Sequence, residues 1–442
     1  MQNLSDDSSG LSAGEVKRRH IVGKAVVVGV LAGVLASAFR LALEHGERWR
    51  DWAIVHAGQW GLPVAIAIGV ATGALGVWLV RRFAPHASGS GIPQLKSILL
   101  RESEPEWRRL LPVKFFGGLL TTAGGFALGR EGPTVQMGSG IGHAVSEWFK
   151  VRQGEGERRA LMSAGAGAGL GAAFNAPLSG VVFVLEELHG NFTPVMFVAA
   201  FLASVSGDVV ARLLTSELPV FHLSGLIAPG VATVPWAALL GVLAGAFGVF
   251  FNRALLLTLD FRDRAVRWPG WMLGGAVGAI VGLTAWLVPS LAGSGGSLVQ
   301  AALAGQIALG VLPLFIIARF CLTMVSYSSG AAGGIFAPLL GLGALGGLLF
   351  GAGVHAVVPH GAAGLTPAVY CVLGMGATFT AIVRAPLTGI VLMIELTGVY
   401  GFMLPLLVAC LTAYGVAEVL GNTPIYEALR LRSRSAVRVG AA

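Results

Sequence analysis

The apolar stretches of this chain come in two lengths, and only one of them can cross a membrane. Residues 24–43, 194–214, 234–258 and 270–290 are long enough, since the hydrocarbon core of a bilayer takes about 20 residues of helix. Residues 113–128, 160–174, 176–188 and 386–397 are interrupted by glycine, proline or polar clusters. A helix of about 13 residues reaches only about 20 Å, so such segments are predicted to end inside the membrane. Backbone left open there is tolerated only where protein covers it or a watery cavity adjoins it. An all-α polytopic membrane protein that mixes full and partial spans is therefore expected.

Composition agrees. Hydrophobic residues make up 55% of the chain and charged residues 12%, against about 25% charged in a soluble domain. The 65 glycines suit helices that approach closely in lipid. The stretch from Met1 to Arg19 is acidic and Ser-rich and lacks the apolar core of a signal peptide, so it is taken as a tail. The net charge of +8 is placed by topology. Lys17, Arg18 and Arg19 precede the first span, and Arg430, Arg432, Arg434 and Arg438 follow the last, which predicts a multi-pass protein of the cell membrane with both termini cytoplasmic. Lys150, Arg152, Arg158 and Arg159 mark a further cytoplasmic loop. No basic, aromatic-interleaved surface suggests a nucleic-acid partner. Cys321, Cys371 and Cys410 stand singly in apolar segments, a spacing that fits neither zinc nor a redox pair, and are expected in the core. No cofactor or metal is expected. The chain is not expected to be an enzyme, for Gly10-Leu-Ser12-Ala-Gly14 fits a nucleophile pattern only in the polar tail, without the strand that motif needs. Nor is a cytosolic regulatory domain expected before Ala442.

The chain repeats itself. Gly29-Val-Leu-Ala-Gly33 recurs as Gly241-Val-Leu-Ala-Gly245, Gly89-Ser90-Gly91 as Gly293-Ser294-Gly295, and Gly132-Pro133 is matched by Ala337-Pro338. The run from Phe174 to Glu186 is echoed from Val383 to Glu395. The matches keep one order at offsets of 204 to 212 residues. Two homologous halves are read, at 21–215 and 216–432, between tails at 1–20 and 433–442. Broken helices in matching places of two halves point to a substrate site at their interface near mid-membrane.

Three loops place glycines just ahead of a helix: Gly89-Ser-Gly-Ile-Pro93, Gly129-Arg-Glu-Gly-Pro133 and Gly333-Gly-Ile-Phe-Ala-Pro338. A helix start offers free N–H groups and partial positive charge, hence an anion site. Three converging starts would hold an anion loosely enough to release it, as conduction requires. Pro133 suits a first helical turn, which puts Glu131 at the start of such a helix. A carboxylate at membrane depth is costly and marks an ion or proton pathway. Here it either caps the helix permanently or competes with a dissolved anion for the same donors.

These motifs, GSGIP, GREGP and GIFAP in that order, resemble the signature of the CLC family of chloride channels and chloride/proton antiporters, in its prokaryotic form without a cytosolic regulatory domain. Lys114-Phe-Phe-Gly-Gly118, Thr134-Val-Gln-Met-Gly138, Ala173-Phe-Asn-Ala-Pro-Leu178 and Pro424-Ile-Tyr426 extend the match. The resemblance implies two halves of inverted topology, a homodimer with one pathway per subunit, and exchange of chloride for protons. It implies that Ser90 and Tyr426 contact the central chloride through their hydroxyls, and that Ile335 and Phe336 donate backbone N–H groups to it. Glu131 would be the gating acid and outer proton carrier, with the N–H groups of Arg130 and Gly132 lining the outer anion site. Glu187 matches the inner proton acid of the antiporter branch, while Glu186 and Glu395 are taken as structural. The alternative is a passive, voltage- or pH-gated chloride channel of the same fold. Glu187 favours exchange, and Ser90 in an intact GSGIP favours chloride over fluoride.

Overall fold

The computed structural model describes residues 6–104, 106–151, 156–190, 193–215, 220–221, 230–265, 268–357 and 366–440. Arg152, one of the residues read as marking a loop, lies outside them. The first half holds α1 (Asp6–His56), α2 (Gly61–Phe83), α3 (Ile92–Leu99), α4 (Trp107–Ala123), α5 (Glu131–Trp148), α6 (Gly156–Phe174), α7 (Pro177–Phe183) and α8 (Pro194–Leu214). A π-helical turn, Val184–His189, continues α7. The second half holds α9 (Val234–Ala265), α10 (Gly270–Leu287), α11 (Gly296–Leu303), α12 (Leu312–Ser328), α13 (Phe336–Val357), α14 (Pro367–Val383), α15 (Pro386–Thr397) and α16 (Met403–Val419). Among the described residues the last helix, α17 (Ile425–Gly440), has no counterpart in the first half. Both segments read as tails are helical where described, as the first turns of α1 and the last turns of α17.

Among the described residues eight helices are long and apolar enough to cross a membrane. The four predicted spans fall in α1, α8, α9 and α10, and the others are Gly58–Phe83, Leu309–Ser328, Phe336–Val357 and Tyr400–Val419. The short helices are made short by their sequence. Gly91 holds φ +86° and Pro93 sits in the first turn of α3. Gly295, at φ +87°, does the same for α11. Pro177 and Pro386 open α7 and α15, because proline suits a position whose N–H has no helical partner.

The two halves fold alike. In each, one helix is enclosed by its neighbours: α6 by α1, α5 and α8, and α14 by α9, α13 and α16. From Ala160 to Phe174 every residue of α6 is buried, which its alternating alanines and glycines permit. The halves meet through α2 and α10. A Cβ on Gly69 or on Gly278 would lie 2.0 Å from the other's carbonyl oxygen, so only glycine lets these backbones touch. Contacts across the interface are reciprocal, as about a two-fold axis. Glu186 accepts from Leu387 N at 3.0 Å, Thr388 N at 2.7 Å and Thr388 Oγ1 at 2.8 Å. Glu395 accepts from Leu178 N at 3.0 Å, Ser179 N at 2.7 Å and Ser179 Oγ at 2.5 Å. Each half thus caps a broken helix of the other, a structural role for both acids. Gly129 and Gly334 form an antiparallel bridge where α5 and α13 begin. Cys371 and Cys410 are buried as expected, but Cys321 is exposed on α12, where a small apolar side chain suits a lipid-facing position.

Candidate anion and proton site

The three glycine loops converge because their backbones are laced together. Gly89 N donates to Ala331 O at 2.9 Å, and Gly333 N to Gly89 O at 3.1 Å. Gly129 N donates to Gly334 O at 2.6 Å, and Gly334 N to Gly129 O at 2.9 Å. A Cβ on Gly132 would lie 2.7 Å from Ser90 O, so a glycine there brings the second loop onto the first. The starts of α3, α5 and α13 therefore meet at one place, each with first-turn N–H groups that have no helical partner.

Glu131 is the first residue of α5, and only 2% of it is exposed. Its carboxylate crosses the interface, where Oε2 accepts from Ala337 N at 3.3 Å in the first turn of α13. The donors it uses thus include those of a helix in the other half. Ile335 and Phe336 lie just before Ala337 and are fully buried. The Phe336 ring packs on Phe174 and Phe379, with centroids 5.4 and 4.6 Å away, which holds the α13 start in position. Arg130 precedes α5 and turns its guanidinium to Glu44 on α1, at 3.5 Å.

Ser90 is buried, and its Oγ accepts from Ile92 N at 3.3 Å. It caps the start of α3, which leaves its hydroxyl proton free to donate elsewhere. Tyr327, on α12, packs its hydroxyl against Gly89, next to Ser90. Tyr426, near the start of α17, is fully buried, which excludes the membrane-interface position common for tyrosine. Its hydroxyl has no hydrogen-bond partner, and its electrostatic neighbours are Glu187, Tyr327 and Glu131. A buried phenol without a partner is costly, and one with the site's acids as electrostatic neighbours is a donor open to an anion. Behind the loop, buried Lys114 donates to Ala87 O at 2.8 Å and Gly89 O at 2.7 Å. Arg319 does the same for the matching loop, at Leu291 O, Gly293 O and Ser294 O. There Ser294 N is already bound to Glu47 at 3.2 Å, so the second Gly-Ser-Gly loop is spent on structure.

Glu187 lies in the π-helical turn with its side chain 6% exposed, and it accepts from Lys96 Nζ at 2.8 Å. It is not a helix-end carboxylate in open water. π turns recur at functional sites. Sequence reasoning singled out neither Lys96 nor Tyr327. Lys96 lies one turn into α3, and no pattern joins it to a residue 91 positions on. Tyr327 sits in an ordinary apolar helix.

A polytopic α-helical protein that brings three broken-helix starts together, with a buried acid seated among them and two buried phenols close by, belongs to the membrane ion-transport proteins. The chain belongs to the CLC family: the family profile described as voltage gated chloride channel matches residues 72–418. The H(+)/Cl(-) exchange transporter ClcA of Citrobacter koseri is 38% identical over 419 residues, covering 92% of this chain and 88% of that protein. A solved slow cyanobacterial Cl−/H+ antiporter superposes with a TM-score of 0.90 at 36% identity, covering 94% of this chain and 98% of that one. A eukaryotic CLC transporter superposes with a TM-score of 0.81 at 26% identity, covering 93% of this chain and 73% of that one.

Proposed function

We propose that the protein is a secondary active transporter that exchanges chloride for protons across the cell membrane. The observation that carries this reading is the Glu131 carboxylate seated on the Ala337 N–H of α13. A charged Glu131 uses donors that a dissolved anion would use. A protonated Glu131 loses its charge, and with it the pull of the helix start. One seat thus serves a carboxylate or an anion, and proton binding and chloride binding become linked through it.

Chloride is held by Ser90 and Tyr426 hydroxyls and by backbone N–H groups of Ile335 and Phe336, while Arg130 and Gly132 line the outer position through their N–H groups. Glu187 handles the proton on the inner side, apart from the anion ligands. Relatives with 38% and 36% identity carry names of Cl−/H+ exchange, which supports exchange over passive conduction. The protein works as a homodimer with one pathway per subunit. Both termini and α17 face the cytosol, and transport needs no cofactor and makes or breaks no covalent bond.

Ion flux from vesicles holding the purified protein, with chloride and pH recorded together, tests this. A chloride gradient should drive protons the opposite way against no proton gradient. Chloride flux with no proton movement would assign a channel instead.

A further inference from the structure

The inner acid is not alone. Lys96 extends from α3, the helix that starts beside Ser90, and its ammonium donates to Glu187 Oε1 at 2.8 Å. The lysine side chain is 16% exposed and the glutamate 6%. A pair so withdrawn from water attracts more strongly than one on the surface. The other charged groups near Glu187 are already committed. Glu186 caps α15, His189 bonds Ser163 Oγ at 2.6 Å, and Arg159 reaches Leu99 O at 3.4 Å. Glu427, next to Tyr426 on α17, feels both Lys96 and Glu187, but Arg430 holds its carboxylate at 2.9 and 2.5 Å. Arg430 also binds Glu102 at 2.5 Å, and Glu102 binds Arg434 at 2.9 Å. Charges of alternating sign therefore run from buried Glu187 through Lys96, Glu427, Arg430 and Glu102 to Arg434 at the surface.

We propose that Lys96 is a positioning residue for the proton half of the exchange: it competes with the proton for the Glu187 carboxylate and thereby sets the pH at which the inner acid loads. The inference rests on the reading of Glu187 as the inner proton acid. A proton and the ammonium cannot both neutralise the same carboxylate at full strength. While the pair is made, Glu187 stays charged and pointed at α3. When a proton takes Glu187, Lys96 loses its partner, and Glu427 at the head of α17 is the next carboxylate in its field. The residue that senses the proton thus stands on the Ser90 helix and faces the Tyr426 helix.

The test compares wild type with Lys96→Gln and Lys96→Arg in vesicles, reading chloride-driven proton uptake as pH is stepped through the neutral range. With the cation gone, Glu187 should bind its proton at higher pH, and the midpoint of the profile should move up by about 1 to 3 pH units, the range for an opposite charge a few Å away. Lys96→Arg keeps the charge and should move it little. Chloride flux in a Glu131→Gln background should not change when Lys96→Gln is added. An unmoved midpoint in Lys96→Gln, or an equal move in Lys96→Arg, overturns the inference. Should Lys96→Gln fail to fold, Lys96→Met, which keeps the length of the stem, takes its place in the same comparison. Glu187→Gln separates the two levels: proton uptake that persists there removes the reading of Glu187 as the inner proton acid, whereas uptake lost there beside an unmoved Lys96→Gln midpoint removes only the role of Lys96.

Discussion

Replacing Tyr426 with alanine should weaken chloride binding far more than it weakens the fold. The phenol is fully buried and its hydroxyl bonds nothing in the protein. A hydrogen bond to a charged partner contributes about 1.5–3 kcal/mol, so the chloride Kd should rise by about 10- to 150-fold. The chloride-free protein should lose less than a buried aromatic usually costs. Removing such a ring costs about 3–5 kcal/mol, but removing an unpartnered donor returns about 1–3 kcal/mol. The two effects separate in a melting experiment. At chloride 100 times the wild-type Kd, binding stabilises wild type by about 2.7 kcal/mol and a site 100-fold weaker by about 0.4 kcal/mol. Calorimetric titration in detergent gives the Kd, and thermal unfolding with and without chloride gives the linkage. A Kd within about twofold of wild type, against the tenfold or more expected from a charged hydrogen bond, would refute the placement of the phenol on the anion.

Three further outcomes follow from the geometry. Glu131→Gln mimics the protonated acid at the α13 start, so proton coupling should vanish while chloride flux persists; simultaneous chloride and pH recordings that still show proton pumping would remove Glu131 from the gate. Glu395→Ala strands the N–H groups of Leu178 and Ser179 and the Ser179 hydroxyl, each at about 1–3 kcal/mol, so unfolding midpoints in detergent should fall steeply, and those of the mirror-image Glu186→Ala by a similar amount. Arg430 hydrogen bonds hold the carboxyls of Glu102 and Glu427 below the ordinary range; groups depressed in this way stabilise the folded state above their unfolded pKa and lose that effect as pH falls through the folded value. The α17 clamp should therefore stay closed at neutral pH and open only below the usual glutamate pKa of about 4.3. Proteolysis of α17 that already accelerates near neutrality would contradict this.

Much of the architecture could be read from the chain because it is written locally. Glycine followed by proline three or four positions on marks a helix start, and Glu131, Pro133 and Pro338 lie where that pattern puts them. The echo between 174–186 and 383–395 marks the halves within the sequence itself. What stayed hidden was which side chain meets which loop. Glu131 finds its donor 206 residues away, and Tyr327 reaches Gly89 from a helix whose sequence carries no polar pattern. Such meetings depend on how α3, α5, α12 and α13 cross, and local spacing holds no record of that. The role of Glu186 in capping α15 was legible as structural, but its acceptor geometry was not. The π turn that holds both Glu186 and Glu187 leaves no mark in composition.

The exchanged caps of Glu186 and Glu395 also constrain how the protein is made. The start of α7 leaves the ribosome with Leu178, and its cap is 217 residues further on. At about 5–20 residues per second, the nascent chain holds an uncapped helix end for about 10–40 s. During that interval the first half is inserted but unfinished, and its open N–H groups need water, lipid headgroups or an insertase. Synthesis halted before residue 395 should leave the α7 region open to protease, and synthesis carried past it should close both caps together. Assembly of the two halves is then a single late event, and a variant that slows it would be lost to quality control before it ever moved an ion.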